Sequence, residues 1–265
     1  MPNKDFTLKV LINFNYLYSI KYRFINEKGD CFMEKNLYPD FAICDSGLGG
    51  YPFYKALKER LPDASIVYVS DTENFPYGNK SYGEIVDLSL AFISKVEKQY
   101  YPKNMIIACD TISITAGQMI LDTFQYWNNI IFTIPPIKQA VSISQNKRIG
   151  LLATNATIES QLIQNFINFH SDEYAIIPRA DSNLISFIQN NYRGSTLEER
   201  MEAIKPAVKF FKSTGCDVVI LGCTHFLNLK DEFIKSSENA FKVIDSMEDV
   251  INLAVRIYNR EKQKN

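Results

Sequence analysis

The sequence predicts an α/β fold in two halves, each built on a parallel sheet. Apolar, strand-like runs alternate with amphipathic stretches from residue 41 onward, the pattern of βα units. The segments Ala108-Cys109-Asp110-Thr111 and Gly222-Cys223-Thr224-His225 each place a cysteine and a threonine just after such a run. The layout from Arg148 also resembles the beginning of the first half, although no exact internal repeat is visible.

Residues 1 to about 37 are Tyr- and Asn-rich, without clean periodicity, and we read them as an extension outside the fold, such as an upstream translation start before Met33 would add. Phe41-Ala42-Ile43-Cys44 is the first strand and runs into Asp45-Ser46-Gly47-Leu48-Gly49-Gly50. A helix follows from about Tyr51 to Leu61, with Pro52 in its first turn and Pro62 past its end. Ile66 to Val69 is a strand and Asp71 to Lys80 a long loop. Ser81 then caps a helix with Glu84 at capping-box spacing and Ile85, Leu88, Phe92, Ile93 and Val96 on one face. Residues 105 to 108 form a strand, 111 to 124 a helix, and 130 to 134 a strand closed by Pro135-Pro136. The second half reads as a strand at 148 to 154, a helix opening at Thr157, a strand at 174 to 177, a helix over 197 to 214 and a strand at 218 to 221. Ile244 and a helix over 247 to 260 close the chain.

At 265 residues, 46% hydrophobic and 22% charged, the chain can bury a full core. A net charge of -1 without long charge runs argues against nucleic acid and anionic membranes as partners. The stretch Val10 to Ile20 is interrupted by Asn13, Asn15, Tyr16 and Ser19, and is too short and polar for a membrane span or a good signal peptide. Five cysteines, none in a CxxC spacing, argue against a disulfide framework and a structural zinc site, and fit a reducing cytoplasm.

A lone cysteine at the end of a buried strand is usually a small core residue. Two in matching positions, flanked by hydroxyl or charged groups, fit a two-base site better. One thiolate removes a proton from one face of a carbon while the opposite thiol supplies its replacement, and a thiol of reference pKa about 8.5 needs only modest tuning for either task. Asp45-Ser46 is either a helix cap or a pair beside a cysteine, with Asp45 as proton acceptor or ammonium anchor and Ser46 on a carboxylate. The glycines after it lack a GxGxxG spacing, so no dinucleotide site is expected. Phe75 to Lys80 is either a plain turn or a substrate loop contributing Tyr77 and the Gly78 amide. His225 lies one residue beyond Cys223-Thr224, whereas His170 is expected at the surface.

Together, Asp45-Ser46-Gly47-Leu48-Gly49-Gly50, Asp71-Thr72, Pro76-Tyr77-Gly78, Ala108-Cys109-Asp110-Thr111 and Leu221-Gly222-Cys223-Thr224-His225 resemble the glutamate racemase branch of the aspartate/glutamate racemase superfamily over about residues 40 to 260. His225 favours that branch over aspartate racemases, which usually carry an acidic residue there. The resemblance implies two pseudo-symmetric, doubly wound α/β domains with the active site between them: 38–133 plus 228–265, and 134–227. It implies a cofactor-independent, cytoplasmic isomerase that interconverts L- and D-glutamate for peptidoglycan, with no metal, and a homodimer among the assemblies it allows. Cys109 would deprotonate D-glutamate with help from Asp45, and Cys223 would deprotonate L-glutamate with help from His225. Ser46, Tyr77, Gly78, Thr111 and Thr224 would bind substrate, with Thr154 and Thr157 as weaker candidates.

Three departures stand out. Asp110 replaces the family's asparagine, and an ionised aspartate would repel a substrate carboxylate; it must be protonated, turn to the ammonium group or serve another substrate. Near Arg179 to Leu184 the usual Ala-Cys-Pro-like run is absent, and the following glutamate that supports the histidine aligns with Gln189, which would stabilise a charged His225 less. Phe226-Leu227 replaces a common Tyr-Pro, a packing change. Asp110 and Gln189 leave two further readings open: a racemase of another amino acid, or a weakly active member with a binding or regulatory role.

Overall fold

The computed structural model describes residues 38–125 and 129–263, so the expected extension over 1 to 37 lies outside the described residues. β1 (Phe41–Asp45), β2 (Ile66–Ser70), β3 (Asn104–Ile107) and β4 (Ile130–Phe132) form one parallel sheet in the order β2-β1-β3-β4. β5 (Arg148–Ala153), β6 (Ala175–Ala180), β7 (Val218–Gly222) and β8 (Lys242–Ile244) form a second, in the order β6-β5-β7-β8. The permutation is the same in both. In each sheet the chain reverses its winding between the first strand and the third, which opens a crevice at their carboxyl ends.

Both faces of each sheet are covered, so the strands read as continuous apolar runs. On the first sheet, Ala42, Cys44, Met105 and Ile107 pack with α2 (Tyr82–Tyr100) and α3 (Asp110–Thr123), while Phe41, Ile43 and Ile106 pack with α1 (Tyr51–Arg60) and α10 (Met247–Lys262). On the second, Leu152, Val219 and Leu221 meet α7 (Ser182–Asn190) and α8 (Leu197–Ser213); Ile149, Leu151 and Ile220 meet α4 (Ile137–Ile143) and α6 (Gln161–His170). Burying each such Ile, Leu or Phe contributes about 1.5–3 kcal/mol. The α2 capping box forms as read, the Ser81 amide donating to Glu84 Oε2 at 3.0 Å and the Glu84 amide to Ser81 Oγ.

Several expectations shift. The single helix expected to open at Thr157 is two: α5 (Asn155–Glu159), capped by Thr154, and α6, capped by Ser160. β4 ends at Phe132 and β6 extends to Ala180. Three helices were not read from the sequence: α4, α7 and α9 (Lys230–Ser237). α9 packs on α8, and β8 pairs with β7, while α10 lies on α1. We therefore propose the return to the first domain at α10, later than residue 228. No described helix is long and apolar enough to cross a membrane.

Candidate active site

The crevice of the first sheet is bordered by Asp45 at the end of β1, with the loop that follows it, and by Cys109, which follows β3 and immediately precedes α3. That of the second is bordered by Thr154 after β5 and by Cys223 after β7. All four side chains are buried.

Asp45 is fixed from several sides. Its Oδ1 accepts from the Ser46 amide at 2.7 Å, and its Oδ2 accepts from the Gly50 amide at 2.7 Å and from the Tyr68 hydroxyl at 3.3 Å. The group directly on the Cys109 thiol is Ser46, with Oγ 3.5 Å from Sγ. Asp45 acts on that thiol through its charge: burial and then Asp45 push the Cys109 thiol well up from its ordinary value, against the Ser46 hydrogen bond.

Across the cleft, His225 Nδ1 lies 3.8 Å from Cys223 Sγ, and Nε2 lies 3.0 Å from Gln189 Oε1. Gln189 Oε1 also accepts from the Leu48 amide at 3.0 Å, joining α7 to the loop after β1. The alignment that put Gln189 behind the histidine thus agrees with its place in the structure. The imidazole sits against the Phe75 ring, centroids 5.4 Å apart, and burial holds its pKa below the ordinary histidine value. A Cβ on Gly49 would lie 2.4 Å from His225 Nδ1 and 2.7 Å from the His225 backbone nitrogen, so only glycine lets this loop close on the second half. Burial pushes the Cys223 thiol up, and the neighbouring Asp110 and Cys109 oppose its ionisation further.

Asp110 is 2% exposed, and its Oδ1 has no hydrogen-bond partner among the described residues. Burial and the nearby carboxyls Asp45 and Asp245 hold it well above the usual carboxylate range, although its own amide and that of Thr224 pull the other way. Thr224 Oγ1, 1% exposed, also lacks a described partner. Two buried polar atoms, one from each half, therefore remain for a ligand to satisfy.

Thr111 Oγ1 lies 3.0 Å from Thr154 Oγ1 and 3.4 Å from Thr157 Oγ1, a hydroxyl cluster that also bridges the halves. Gly78 packs against Thr154, and a Cβ there would fall 2.6 Å from the threonine Cβ. Tyr77 is buried, and its hydroxyl donates to Asp71 Oδ2 at 2.7 Å, so that hydroxyl is engaged within its own loop. Reading the sequence missed Tyr68, which donates to Gly47 O at 2.6 Å and braces the Asp45 loop; its only signal was an outlying hydroxyl in an apolar strand. Among the described residues no cluster of three or more His, Cys, Asp or Glu could hold a metal ion. The side chains gathered here are hydroxyls, thiols, carboxyls, an amide and one imidazole. An anionic group would be held by hydroxyls, N–H donors and a protonated acid.

This chain is 34% identical over 217 residues to glutamate racemase of Treponema pallidum (strain Nichols), covering 82% of this chain and 80% of that protein. It is 34% identical over 235 residues to glutamate racemase of Borreliella burgdorferi, covering 87% and 84%. Among solved structures, Escherichia coli glutamate racemase in complex with L-glutamate and the activator UDP-MurNAc-ala matches with a TM-score of 0.71 at 26% identity, over 81% of this chain and 80% of that one. Francisella tularensis glutamate racemase in complex with D-glutamate matches at 0.69 and 25% identity, over 86% and 83%. The family model for Asp/Glu/Hydantoin racemases matches residues 136–254.

Proposed function

The chain belongs to the glutamate racemase family, and from that premise we propose that it interconverts L- and D-glutamate through Cys109 and Cys223, supplying D-glutamate for peptidoglycan in the cytoplasm. The observation that carries this reading is the matched placement of the two thiols: each follows the third strand of a sheet with the same strand order, and hydrogen bonds from Leu48 to Gln189 and between Thr111 and Thr154 join the two halves beside them.

Cys109 takes the α-proton of D-glutamate and Cys223 that of L-glutamate, the opposite thiol returning a proton to the other face. Ser46 and Asp45 support Cys109, and His225 supports Cys223. In the free protein burial keeps both thiols protonated. The ammonium group of a bound amino acid brings positive charge into a site with several acidic groups, and opposite charge favours the thiolate. Ser46, Thr111, Thr154, Thr157, Thr224 and the Gly78 amide supply donors for the two carboxylates. Asp110, kept protonated by its surroundings, takes the donor role of the asparagine it replaces. We propose a homodimer as the working assembly.

The test is circular dichroism of the purified protein with L-glutamate and, separately, D-glutamate, with nothing else added. Decay of both signals to zero is expected. Persistence of both in a folded sample would overturn the reading and favour another amino acid or a binding role.

A further inference from the structure

We infer that Gln189 is a positioning residue: it fixes the imidazole proton of His225 on Nε2 and leaves Nδ1 bare toward Cys223, making His225 the acceptor for that thiol's proton. This rests on the glutamate reading above for the purpose of the proton transfer, but not for the position of the proton.

One amide oxygen decides where the proton sits. Gln189 Oε1 lies 3.0 Å from the Leu48 backbone nitrogen, which can only donate, so that contact identifies the oxygen end of the amide. The same oxygen lies 3.0 Å from His225 Nε2. An amide oxygen carries no hydrogen, so the imidazole must donate from Nε2. Among the described residues no carboxylate hydrogen-bonds the ring. The titratable groups that face it are Cys223 on its own loop and, more remotely, Asp45 at the end of β1; α7 presents only the neutral Gln189, and the loop between β2 and α2 presents Phe75. Burial then keeps the ring neutral, with its single proton on Nε2. Nδ1 is left as a lone pair 3.8 Å from Cys223 Sγ.

A glutamate at this position would reverse the arrangement. Its carboxylate would stabilise the imidazolium, which bears a hydrogen on both nitrogens and would donate toward the sulfur. With the amide, the S–H bond of Cys223 breaks as the Nδ1–H bond forms, and the resulting thiolate is free to take the α-proton of L-glutamate. Because the amide is held by Leu48 from the first half, the tautomer also depends on the contact across the cleft.

The chain has only two histidines, so histidine-selective 15N labelling of the full-length protein gives two imidazole spin systems, and His170→Asn identifies the other. At neutral pH the expected spectrum shows His225 neutral and protonated on Nε2. Gln189→Glu should shift it to the doubly protonated form, and Gln189→Leu should leave a mixture of tautomers. A doubly protonated ring or an Nδ1–H tautomer in the parent protein would overturn the inference, as would an unchanged spectrum in Gln189→Leu. The readout needs no turnover, so its failure is separate from failure of glutamate racemisation. In kinetics, Gln189→Glu should raise the pH of the acid limb of kcat while leaving KM nearly unchanged; an unmoved limb would contradict the acceptor role.

Discussion

The two half-sites share a scaffold and differ in what stands behind each thiol. The register of the first sheet pairs Cys44 with Ile107, which continues to Asp45 opposite Ala108, the residue before Cys109. In the second sheet Ala153 stands opposite Gly222, the residue before Cys223. Asp45 and Ser46 therefore correspond to Ala153 and Thr154, and the pair Asp110-Thr111 to Thr224-His225. The first half supports its cysteine from the strand beside it, with a hydroxyl and a carboxyl held by amides. The second has no carboxyl at that place and draws on a histidine from the cysteine's own loop, steadied from another helix. Strand order decides where the thiols go, and the loops decide how each is tuned.

The contrast has a direct consequence for pH. His225 accepts a proton only while neutral, and its pKa is held below the ordinary 6.5, so the Cys223 side keeps its acceptor at neutrality and loses it in acid. The Cys109 side has no imidazole to lose. Gly49→Ala attacks the second half-site most severely, since its methyl group collides with the histidine ring and backbone. A displacement of about 1 Å at the imidazole lowers kcat about 10²-fold; wild-type kcat in Gly49→Ala would show that the two halves do not close as described.

His225→Asn should cost about 10²-fold in kcat, the lower end of the range for acid–base assistance. Because the enantiomers have equal free energy, kcat/KM falls equally in both directions. The isotope effects separate them: that from α-deuterated L-glutamate grows, while that from α-deuterated D-glutamate shrinks. Equal changes from both enantiomers would erase the difference between the half-sites.

Asp110→Asn has a smaller effect with a defined sign. Burial raises the Asp110 pKa in the folded chain, so the native state holds a proton that the unfolded chain releases above pH about 3.9. Stability is therefore lost as pH rises from that value toward the folded pKa. The variant removes this loss, and its Tm should exceed the parent's more in alkaline than in acidic buffer, by about 2–4 °C for each kcal/mol recovered. An equal Tm difference at every pH would show that Asp110 is ionised in the fold.

Much of this was legible because parallel strands buried on both faces leave unbroken apolar runs, as at Met105-Ile106-Ile107 and Val218-Val219-Ile220-Leu221. The cysteines were readable because each terminates such a run. α7 was not: Ser182, Asn183, Ser186 and Asn190 mask its buried Leu184, Ile185 and Ile188, and its start is an Asp181 cap that also reads as a turn. α4 and α9 are too short for periodicity to declare itself. The Tyr68 support of the Asp45 loop and the Leu48 hold on Gln189 are long-range pairings that only the packed sheets create. Tyr77 was placed in the correct loop, but its bond to Asp71 is a matter of turn geometry that composition does not disclose.

The opposite-face action of the two thiols is tested most directly by proton NMR in D2O with single serine variants. In Cys223→Ser the α-proton of D-glutamate should wash out with retention while L-glutamate stays unexchanged; in Cys109→Ser the preference should reverse. Exchange from the other enantiomer, or full racemisation by either variant, would contradict the assignment of one cysteine to each face.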